Sequence, residues 1–468
     1  MKRTFKLLVL SLFFTPSIFS APRSYLIVGR ENAPLPVKIQ QQVEQAGGKL
    51  IRHHRQIGLV EVESADENFQ WRARNIPGVE NVIPNIRWTS NLPMALRAAP
   101  AQLAAQQSAD AEEFFALQWN LRAIEAPAAW QAGVRGRNAR VVVLDTGIDA
   151  EHPDIAPNLK TALCRSFIPG EDFNIQPNNH PDAWFSHGTH VAGIIAAALN
   201  GFGIIGVAPE AELVAVKVLS EFTGYGTIGG MVAGILYAAD IEADVINISL
   251  GAVYNREGAF DDNGTPEPED DIWLNSNEVA ALVRTVSRAI RYANSRGATI
   301  VAAAGNDALN RDLDGRVIYL PADCPRVLSI SATGPMSLGI NPAADLDQLA
   351  FYSNYGQSSI DFAAPGGNLD FSLFEEPIPM CGPFECLVYD MVFSAGNEGY
   401  FFSIGTSMAA PHVAGVAALI ISRHGGSLSP STVELELRKS ADDLGETGRD
   451  AFYGAGRVNA GTSSHSGN

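Results

Sequence analysis

From residue 114 onward, short apolar runs alternate with segments whose apolar residues recur at helical spacing. Continuously apolar strands that alternate with helices are typical of a parallel sheet covered by helices on both faces. This pattern predicts a three-layer α/β domain for residues 114–468. In its longest helix, Ser276 is the expected N-cap and Gly297 lies just past the end. The predicted strands are 140–144, 213–218, 245–250, 299–304 and 327–332, and the predicted helices lie near 189–199, 226–242 and 276–296.

The preceding segment, residues 21–97, has a different pattern. Its apolar and turn residues predict the order strand, helix, strand, strand, helix, strand, with the last strand over 79–88. We therefore expect a small α+β domain ahead of the larger one. Residues 98–113 are rich in Ala and Gln and have no core pattern, so they are the predicted linker and processing region.

The first twenty residues have a basic start, a short apolar run and small residues near Ser20. These features are typical of a secretory signal peptide, predicted for residues 1–20. A transmembrane anchor is the alternative, but it needs about 20 apolar residues, and this run is shorter and broken by Pro16. We expect export, to the extracellular space or the periplasm, and no membrane span.

Charge is unevenly distributed along the 468 residues, which have a net charge of −18. Residues 1–111 carry +5 and residues 112–468 carry −23. An acidic main domain would be repelled by phosphates, which argues against a nucleic-acid partner. Opposite charges also suggest that the two parts dock. We expect the protein to be a monomer.

Four cysteines all lie in the larger domain: Cys164, Cys324, Cys381 and Cys386. An even number in an exported chain is compatible with two disulfides, and four cysteines allow three pairings. Cys381 and Cys386 are close enough in sequence to close one loop. The sequence leaves the pairing of the other two open.

Three polar segments follow predicted strands or begin predicted helices, where ligands of parallel sheets bind. Asp145 follows the strand 140–144, His187 lies at the head of one helix, and Ser407 lies at the head of another. Amide hydrolysis needs a nucleophile, a base and a group that orients the base. Ser407, His187 and Asp145 suit these three roles in that order.

Each segment alone has other interpretations. Asp-Thr-Gly also occurs in aspartic proteases, His187 and His190 could bind a metal, and Gly-Thr-Ser is usually a helix cap. A lipase of the α/β-hydrolase type needs Gly-x-Ser-x-Gly, whereas the segment around Ser407 is Gly-Thr-Ser-Met-Ala.

Taken together, the segments around Asp145, His187 and Ser407 resemble the three signature motifs of the subtilisin-like serine proteases, in that family's chain order. The resemblance covers 114–461. It implies a serine endopeptidase acting on proteins or peptides, with Asn306 as the side-chain donor of an oxyanion hole. Residues 21–97 resemble the family's propeptide, which implies an autoprocessed zymogen with an intramolecular inhibitor. A catalytically silent binding protein is the rival hypothesis, against which the complete triad argues.

The resemblance also implies where substrate binds. Ser249, Leu250 and Gly251 match the strand beside the specificity pocket, and Gly305 adjoins Asn306 in the same region. Gly224 and Gly226 match the edge strand on the other side of the substrate. An extended peptide would lie between these two segments as an added strand.

Structural Ca²⁺ is a further expectation from the resemblance, with Asp154 as carboxylate ligand and Asn200 as side-chain ligand. A plain polar loop is the alternative. Two insertions, 254–275 and 368–398, distinguish the chain from small relatives. The first is acidic, and it could steer cationic substrates, hold another Ca²⁺ or be a solvated loop.

Overall fold

The computed structural model describes residues 22–465, except 32–33, 90–93, 105–111, 176–183, 263–267, 269–270, 314 and 375–376. The predicted signal peptide, residues 1–20, lies outside the described residues, as does part of the predicted processing region 98–113. None of the helices that are described is long and apolar enough to cross a bilayer.

The front domain forms a four-stranded antiparallel sheet in the order β2-β3-β1-β4. The predicted order of its elements is confirmed, but the last predicted strand is broken at Asn85 and Ile86, so that β5 leaves the sheet. The predicted linker contains a short helix, α3, in which Leu103 is buried. The elements of this part, labelled in chain order, are β1 (Arg23–Gly29), α1 (Ile39–Gln45), β2 (Lys49–His54), β3 (Leu59–Ser64), α2 (Phe69–Ala73), β4 (Val79–Pro84), β5 (Arg87–Thr89), β6 (Ala95–Arg97) and α3 (Pro100–Ala104).

The main domain is an α/β unit, as predicted. Its strands are β7 (Arg140–Asp145), β8 (Arg165–Ser166), β9 (Glu212–Lys217), β10 (Tyr225–Thr227), β11 (Val245–Ile248), β12 (Ala252–Asn255), β13 (Gly258–Asp261), β14 (Ile272–Asn275), β15 (Thr299–Ala303), β16 (Val317–Leu320), β17 (Val327–Thr333), β18 (Phe362–Pro365), β19 (Met380–Cys381), β20 (Phe384–Glu385), β21 (Val392–Gly396) and β22 (Gly399–Ser403). Its helices are α4 (Trp119–Ala123), α5 (Ala126–Gln131), α6 (His187–Ala196), α7 (Ile228–Asp240), α8 (Ser276–Ser295), α9 (Thr406–Arg423), α10 (Pro430–Ser440) and α11 (Ala460–His465).

Seven parallel strands form the central sheet in the order β18-β17-β15-β11-β7-β9-β8. In β7, an interior strand of this sheet, Val141 and Val143 belong to the core that contains α6 and α9. Val142 and Leu144 belong to the core that contains α7 and α8. Because successive side chains of a strand point to opposite faces, β7 is buried on both sides. The three-layer prediction is confirmed.

Helix α8 begins differently from the prediction. Asn275 is the N-cap, and its side chain accepts from the backbone N–H of Glu278, whose carboxylate accepts from the backbone N–H of Asn275. Ser276 is therefore the first helical residue rather than the cap. This reciprocal pair is a capping box, which satisfies two N–H groups that a helix start leaves open. Gly297 follows the helix with a φ of +105°, as expected for a helix end.

The described residues of both insertions include regular structure. In the first, β13 and β14 are the outer strands of an antiparallel sheet in the order β14-β13-β12-β16. The second contains the hairpin β19-β20 and the disulfide Cys381–Cys386. Cys164 and Cys324 are not paired with each other. The structure thus has the loop-closing disulfide that spacing suggested and leaves the other two cysteines as thiols.

Two of the contacts between the front domain and the main domain differ in kind. In the first, named here the helix-face contact, Arg288 of α8 pairs with Glu80 at 2.8 Å and Arg291 pairs with Glu31 at 2.8 Å. In the second, named the groove contact, β5 pairs with β10 as an antiparallel strand. In the pairs of Arg288 and Arg291 the basic partner comes from the acidic domain, whereas in Arg74–Glu278 and Arg87–Asp261 it comes from the front domain. The local ion pairs therefore run in both directions.

Candidate active site

Asp145 and His187 form a buried pair. Asp145 is the last residue of β7, and His187 is the first residue of α6, whose N-cap Ser186 accepts from the backbone N–H of Thr189. His187 Nδ1 lies 2.8 Å from Asp145 Oδ1 and 2.9 Å from Oδ2. A carboxylate in this position fixes the ring and its tautomer, which leaves Nε2 as the basic nitrogen. Within the described residues, Nε2 of His187 has no hydrogen-bond partner.

Ser407 lies in the first turn of α9, a helix that packs against both α6 and β7. Its hydroxyl donates to the main-chain carbonyl of Ser249 at 2.9 Å. In return, the Ser249 hydroxyl donates to the main-chain carbonyl of Ser407 at 2.8 Å. The predicted pocket strand and the predicted nucleophile are therefore joined by two reciprocal hydrogen bonds. The hydroxyl of Ser407 is oriented toward Ser249 in this arrangement rather than toward His187.

Asn306 is held by its carbonyl end. Its Oδ1 accepts from the backbone N–H of Thr406 at 2.9 Å and from the Thr406 hydroxyl at 2.8 Å. The amide N–H₂ end is left to serve other acceptors. The Thr406 hydroxyl also accepts from the backbone N–H of Gly305 at 3.1 Å, so one side chain ties Asn306 to the helix that carries Ser407. Sequence reasoning missed Thr406, although it stands inside the quoted motif.

A cavity of about 310 Å³ lies directly beside Ser407. Its lining includes Ser249, Leu250, Gly251, Gly305 and Asn306 from the main domain. The structure thus brings together the residues that the resemblance placed in the specificity pocket. A Cβ at Gly305, where φ is +104°, would lie 2.2 Å from the Tyr319 ring, so only glycine fits this wall.

The opposite edge of the groove is β10. Gly226 lies within this strand and pairs with Trp88 of β5, whereas Gly224 immediately precedes the strand, with a φ of +71°. A Cβ at Gly226 would lie 2.2 Å from the main-chain oxygen of Val218 and 3.1 Å from Trp88 Nε1. Both glycines are therefore at the groove, but only Gly226 pairs with the added strand.

Two further histidines are buried nearby. His190 Nε2 lies 3.1 Å from the carbonyl of Phe401, and His412 Nδ1 lies 2.7 Å from the carbonyl of Met408. Burial lowers the pKa of His190 to about 3 and that of His412 to about 4. Both rings are neutral at neutral pH and are held by the backbone, which fits a structural role rather than metal binding.

Asp154 and Asn200 are neighbours, with Asn200 Nδ2 at 3.3 Å from Asp154 Oδ1. The other oxygen of Asp154 accepts from the Tyr400 hydroxyl at 2.8 Å and from the backbone N–H of Ile204 at 3.1 Å. Burial raises the pKa of Asp154 to about 6. Protein donors therefore take the oxygens that a metal ion would need.

The loop that contains Asn200 also directs backbone N–H groups toward the interior of the protein. The backbone N–H groups of Asn200, Gly201 and Phe202 point to the carboxylate of Glu112 at 3.0, 3.0 and 2.9 Å. Calcium requires about six to eight oxygen ligands. A loop that presents N–H groups to a carboxylate does not fit that ion, and the described residues contain no cluster of three metal-binding side chains. In this arrangement, Glu112 organises the loop without a metal.

Comparison with known proteins agrees with this site. A family model described as the subtilase family matches residues 136–456. Subtilisin Savinase from Lederbergia lenta is 33% identical over 342 residues, which are 73% of this chain and 96% of that protein. M-protease from Shouchella clausii is also 33% identical over 342 residues, covering 73% of this chain and 68% of the relative.

Solved structures extend the similarity to the front domain. The epidermin leader peptide processing serine protease EpiP from Staphylococcus aureus aligns with a TM-score of 0.72 and 19% identity, over 96% of this chain and 99% of that one. A lanthipeptide protease aligns with a TM-score of 0.58 and 26% identity, over 74% of this chain and 94% of that one. The family match, the subtilisin relatives and the shared fold agree with one another. The chain belongs to the subtilase family and is a serine endopeptidase with the subtilisin-like fold.

Proposed function

We propose that the chain is exported as an inactive precursor and that Asp145, His187 and Ser407 form its catalytic triad. The observation that carries the proposal is the buried contact of 2.8 Å between His187 Nδ1 and Asp145, with Nε2 left as the base. Ser407 lies beside Asn306 and the pocket in the same cavity. A silent binding protein would not need this arrangement of base, nucleophile and amide donor.

In the proposed reaction, the Ser407 hydroxyl breaks its hydrogen bond to the Ser249 carbonyl and transfers its proton to His187 Nε2. At the same time, Oγ attacks the scissile carbonyl carbon. The Asn306 N–H₂ group and the backbone N–H of Ser407 donate to the oxyanion. The protonated His187 then gives its proton to the departing amine, which leaves an acyl ester on Ser407. Water, deprotonated by His187, hydrolyses that ester and restores the serine hydroxyl.

The front domain, residues 21–97, is proposed as the inhibitory propeptide of the main domain, residues 114–468. Its strand β5 occupies the edge of the groove by pairing with β10. Trp88 of β5 is only 3% exposed and lines the cavity beside Ser407. A substrate needs the same edge strand, so substrate and front domain exclude each other.

The chain passes from β5 at the groove to β6, which pairs with β22. We propose that the first cut falls between Thr89, the last residue of β5, and Met94, which directly precedes β6. The processing region predicted from composition, residues 98–113, is the alternative. The mass of the processed protein decides between the two positions.

Export rests on the predicted signal peptide, and the monomeric state stays a prediction. Members of this family commonly bind structural calcium, but the donors around Asp154 and Asn200 do not fit it. We therefore propose no calcium ion at these two residues.

The proposal is tested by intact mass and casein digestion of the wild-type protein and of Ser407→Ala. We expect the wild type to lose a fragment and digest casein, and the variant to stay uncut and inert. Ser295→Ala, which changes an exposed serine at the end of α8, is the matched control and should behave like the wild type. Normal digestion by Ser407→Ala would remove this serine from the mechanism. A wild type that neither loses a fragment nor digests casein would favour the silent binding protein.

A further inference from the structure

The acidic insertion contributes to the wall of the groove. Its strand β13 ends at Asp261, whose side chain is 7% exposed, and Asp262 follows with a side chain that is 61% exposed. The aromatic ring of Tyr225, in the edge strand β10, faces the same place, because the Arg87 guanidinium lies 4.7 Å from its centroid. Two carboxylates and an aromatic ring thus surround one position beside β5.

Arg87 of the front domain occupies that position. Its guanidinium donates to Asp261 Oδ1 from Nη2 at 2.9 Å and from Nε at 3.3 Å. Nη2 also lies 3.0 Å from Asp262 Oδ1. In addition, the backbone N–H of Arg87 donates to Asp261 Oδ2 at 2.7 Å. The carboxylate of Asp261 therefore binds both the side chain and the main chain of one residue.

Strand pairing defines the register of this residue. Arg87 pairs with Thr227, Trp88 with Gly226 and Thr89 with Tyr225. A substrate that adds to β10 in the same direction presents its own residue opposite Thr227, and that residue enters the space between Asp261 and Tyr225. If the chain is cut between Thr89 and Met94, this residue is the third or a more distant one before the scissile bond.

In the precursor, the carboxylate of Asp261 is nearly buried, and Arg87 supplies the cation and the donors that such a carboxylate needs. When the front domain leaves, the donors that Arg87 supplies to Asp261 leave with it. A substrate with a basic residue at this position restores them, and arginine does so best, since its planar guanidinium can donate to both carboxylates and stack on the ring. A proline would lose the main-chain donation as well.

We propose that Asp261, Asp262 and Tyr225 form a specificity subsite, upstream of the scissile bond, for an arginine or lysine of the substrate. The inference rests on the proposed protease function and names a substrate class for it. The acidic insertion thereby acts on cationic substrates by direct contact, and Arg87 is the internal ligand that occupies the subsite in the precursor.

The test uses a peptide with the sequence of residues 84–96, in which Arg87 is the one charged side chain. The processed wild-type enzyme should cut it with a kcat/KM about ten- to a hundredfold higher than the Arg87→Leu peptide, as expected for charge-assisted hydrogen bonds. The Arg87→Lys peptide should be intermediate and the Arg87→Pro peptide slowest. The advantage of arginine over leucine should shrink at high salt.

Enzyme variants assign the effect to the insertion. Asp261→Asn with Asp262→Asn should remove most of the difference between the arginine and leucine peptides. Glu257→Gln, which changes an exposed carboxylate of the same insertion, should keep it. If the double variant does not fold, Asp262→Asn alone should reduce the difference, because its side chain is mostly exposed.

The outcomes separate the two proposals. Equal cutting of the arginine and leucine peptides by the wild type would overturn the subsite and leave the protease intact. Casein digestion with the peptide left uncut would also overturn it, since substrates would then not lie as β5 does. Failure to digest casein at all would count against the proposed function itself.

Discussion

The groove contact and the helix-face contact of the front domain are built from different groups. The groove contact is formed chiefly by main-chain pairing of β5 with β10, to which Trp88 and Arg87 add side chains. The helix-face contact is formed chiefly by side chains, such as the pair of Arg288 with Glu80. Main-chain pairing is open to any extended peptide, whereas the side-chain pairs fit one partner. The comparison suggests that substrates compete for the first contact and that the second holds the front domain in place.

Trp88→Ala should weaken the groove contact most. The side chain is 3% exposed, and truncation of a buried aromatic residue costs about 3–5 kcal/mol. Thermal unfolding of the uncut Ser407→Ala precursor measures the loss. Trp71→Ala, which truncates a front-domain tryptophan that is 71% exposed, is the control. Equal shifts for the two variants would mean that Trp88 does not anchor the front domain.

Arg288→Met should weaken the helix-face contact by about 1.5–3 kcal/mol, the usual size for hydrogen bonds to charged groups. Arg288 donates to the carbonyl of Gly29 at 2.6 Å and to Glu80 at 2.8 Å. Precursor stability should fall while kcat/KM of the processed enzyme stays the same. Arg284→Met is the matched control, because Arg284 reaches the same Glu80 from a more exposed position. A large loss of kcat/KM in Arg288→Met would show that the two contacts are not separable.

Glu112→Gln tests a contact within the main domain, for comparison with the groove and helix-face contacts of the front domain. This carboxylate accepts three N–H groups of the loop 200–202, and a glutamine can accept through one oxygen only. We expect a loss of about 1–3 kcal/mol in unfolding free energy of the processed enzyme, against none for the exposed Glu446→Gln. A chelator should have little effect on the wild type. A larger loss with chelator than with Glu112→Gln would mean that calcium, rather than Glu112, holds the loop.

Arg291→Gln should have the smallest effect. The pair with Glu31 is more than half exposed on both sides, and exposed pairs contribute about 0.2–1 kcal/mol. Precursor stability should drop slightly at low salt, and the difference should vanish at high salt. A salt-independent loss would indicate packing of the arginine stem rather than charge.

Much of the fold could be predicted because apolar runs and helical spacing report burial directly. Strands β7, β9, β11, β15 and β17 lie within a few residues of their predicted positions. The outer strands β8 and β18 were not predicted. One has two residues and the other reads Phe-Ala-Ala-Pro, so neither has the β-branched pattern of a buried strand.

Contacts between residues that are far apart in the sequence could not be predicted. Arg87 reaches Asp261 across 174 positions, and no local pattern marks such a pair. Glu112 stands in a segment that composition described as a linker, yet it organises the loop that was expected to hold calcium. Asp145, His187 and Ser407 could be proposed from the sequence because the three motifs around them, taken together and in their chain order, resemble those of one family.

The order of the elements along the chain determines the order in which they are synthesised. Asp145 and His187 belong to the first half of the main domain, whereas Ser407 stands at the start of α9, which packs against β15, β17 and β18. Synthesis proceeds from the N-terminus, so the front domain emerges before any of these elements, and the proposed nucleophile, Ser407, emerges after the three strands. By the time the chain can cleave anything, β5, the strand proposed to block its groove, has already been made.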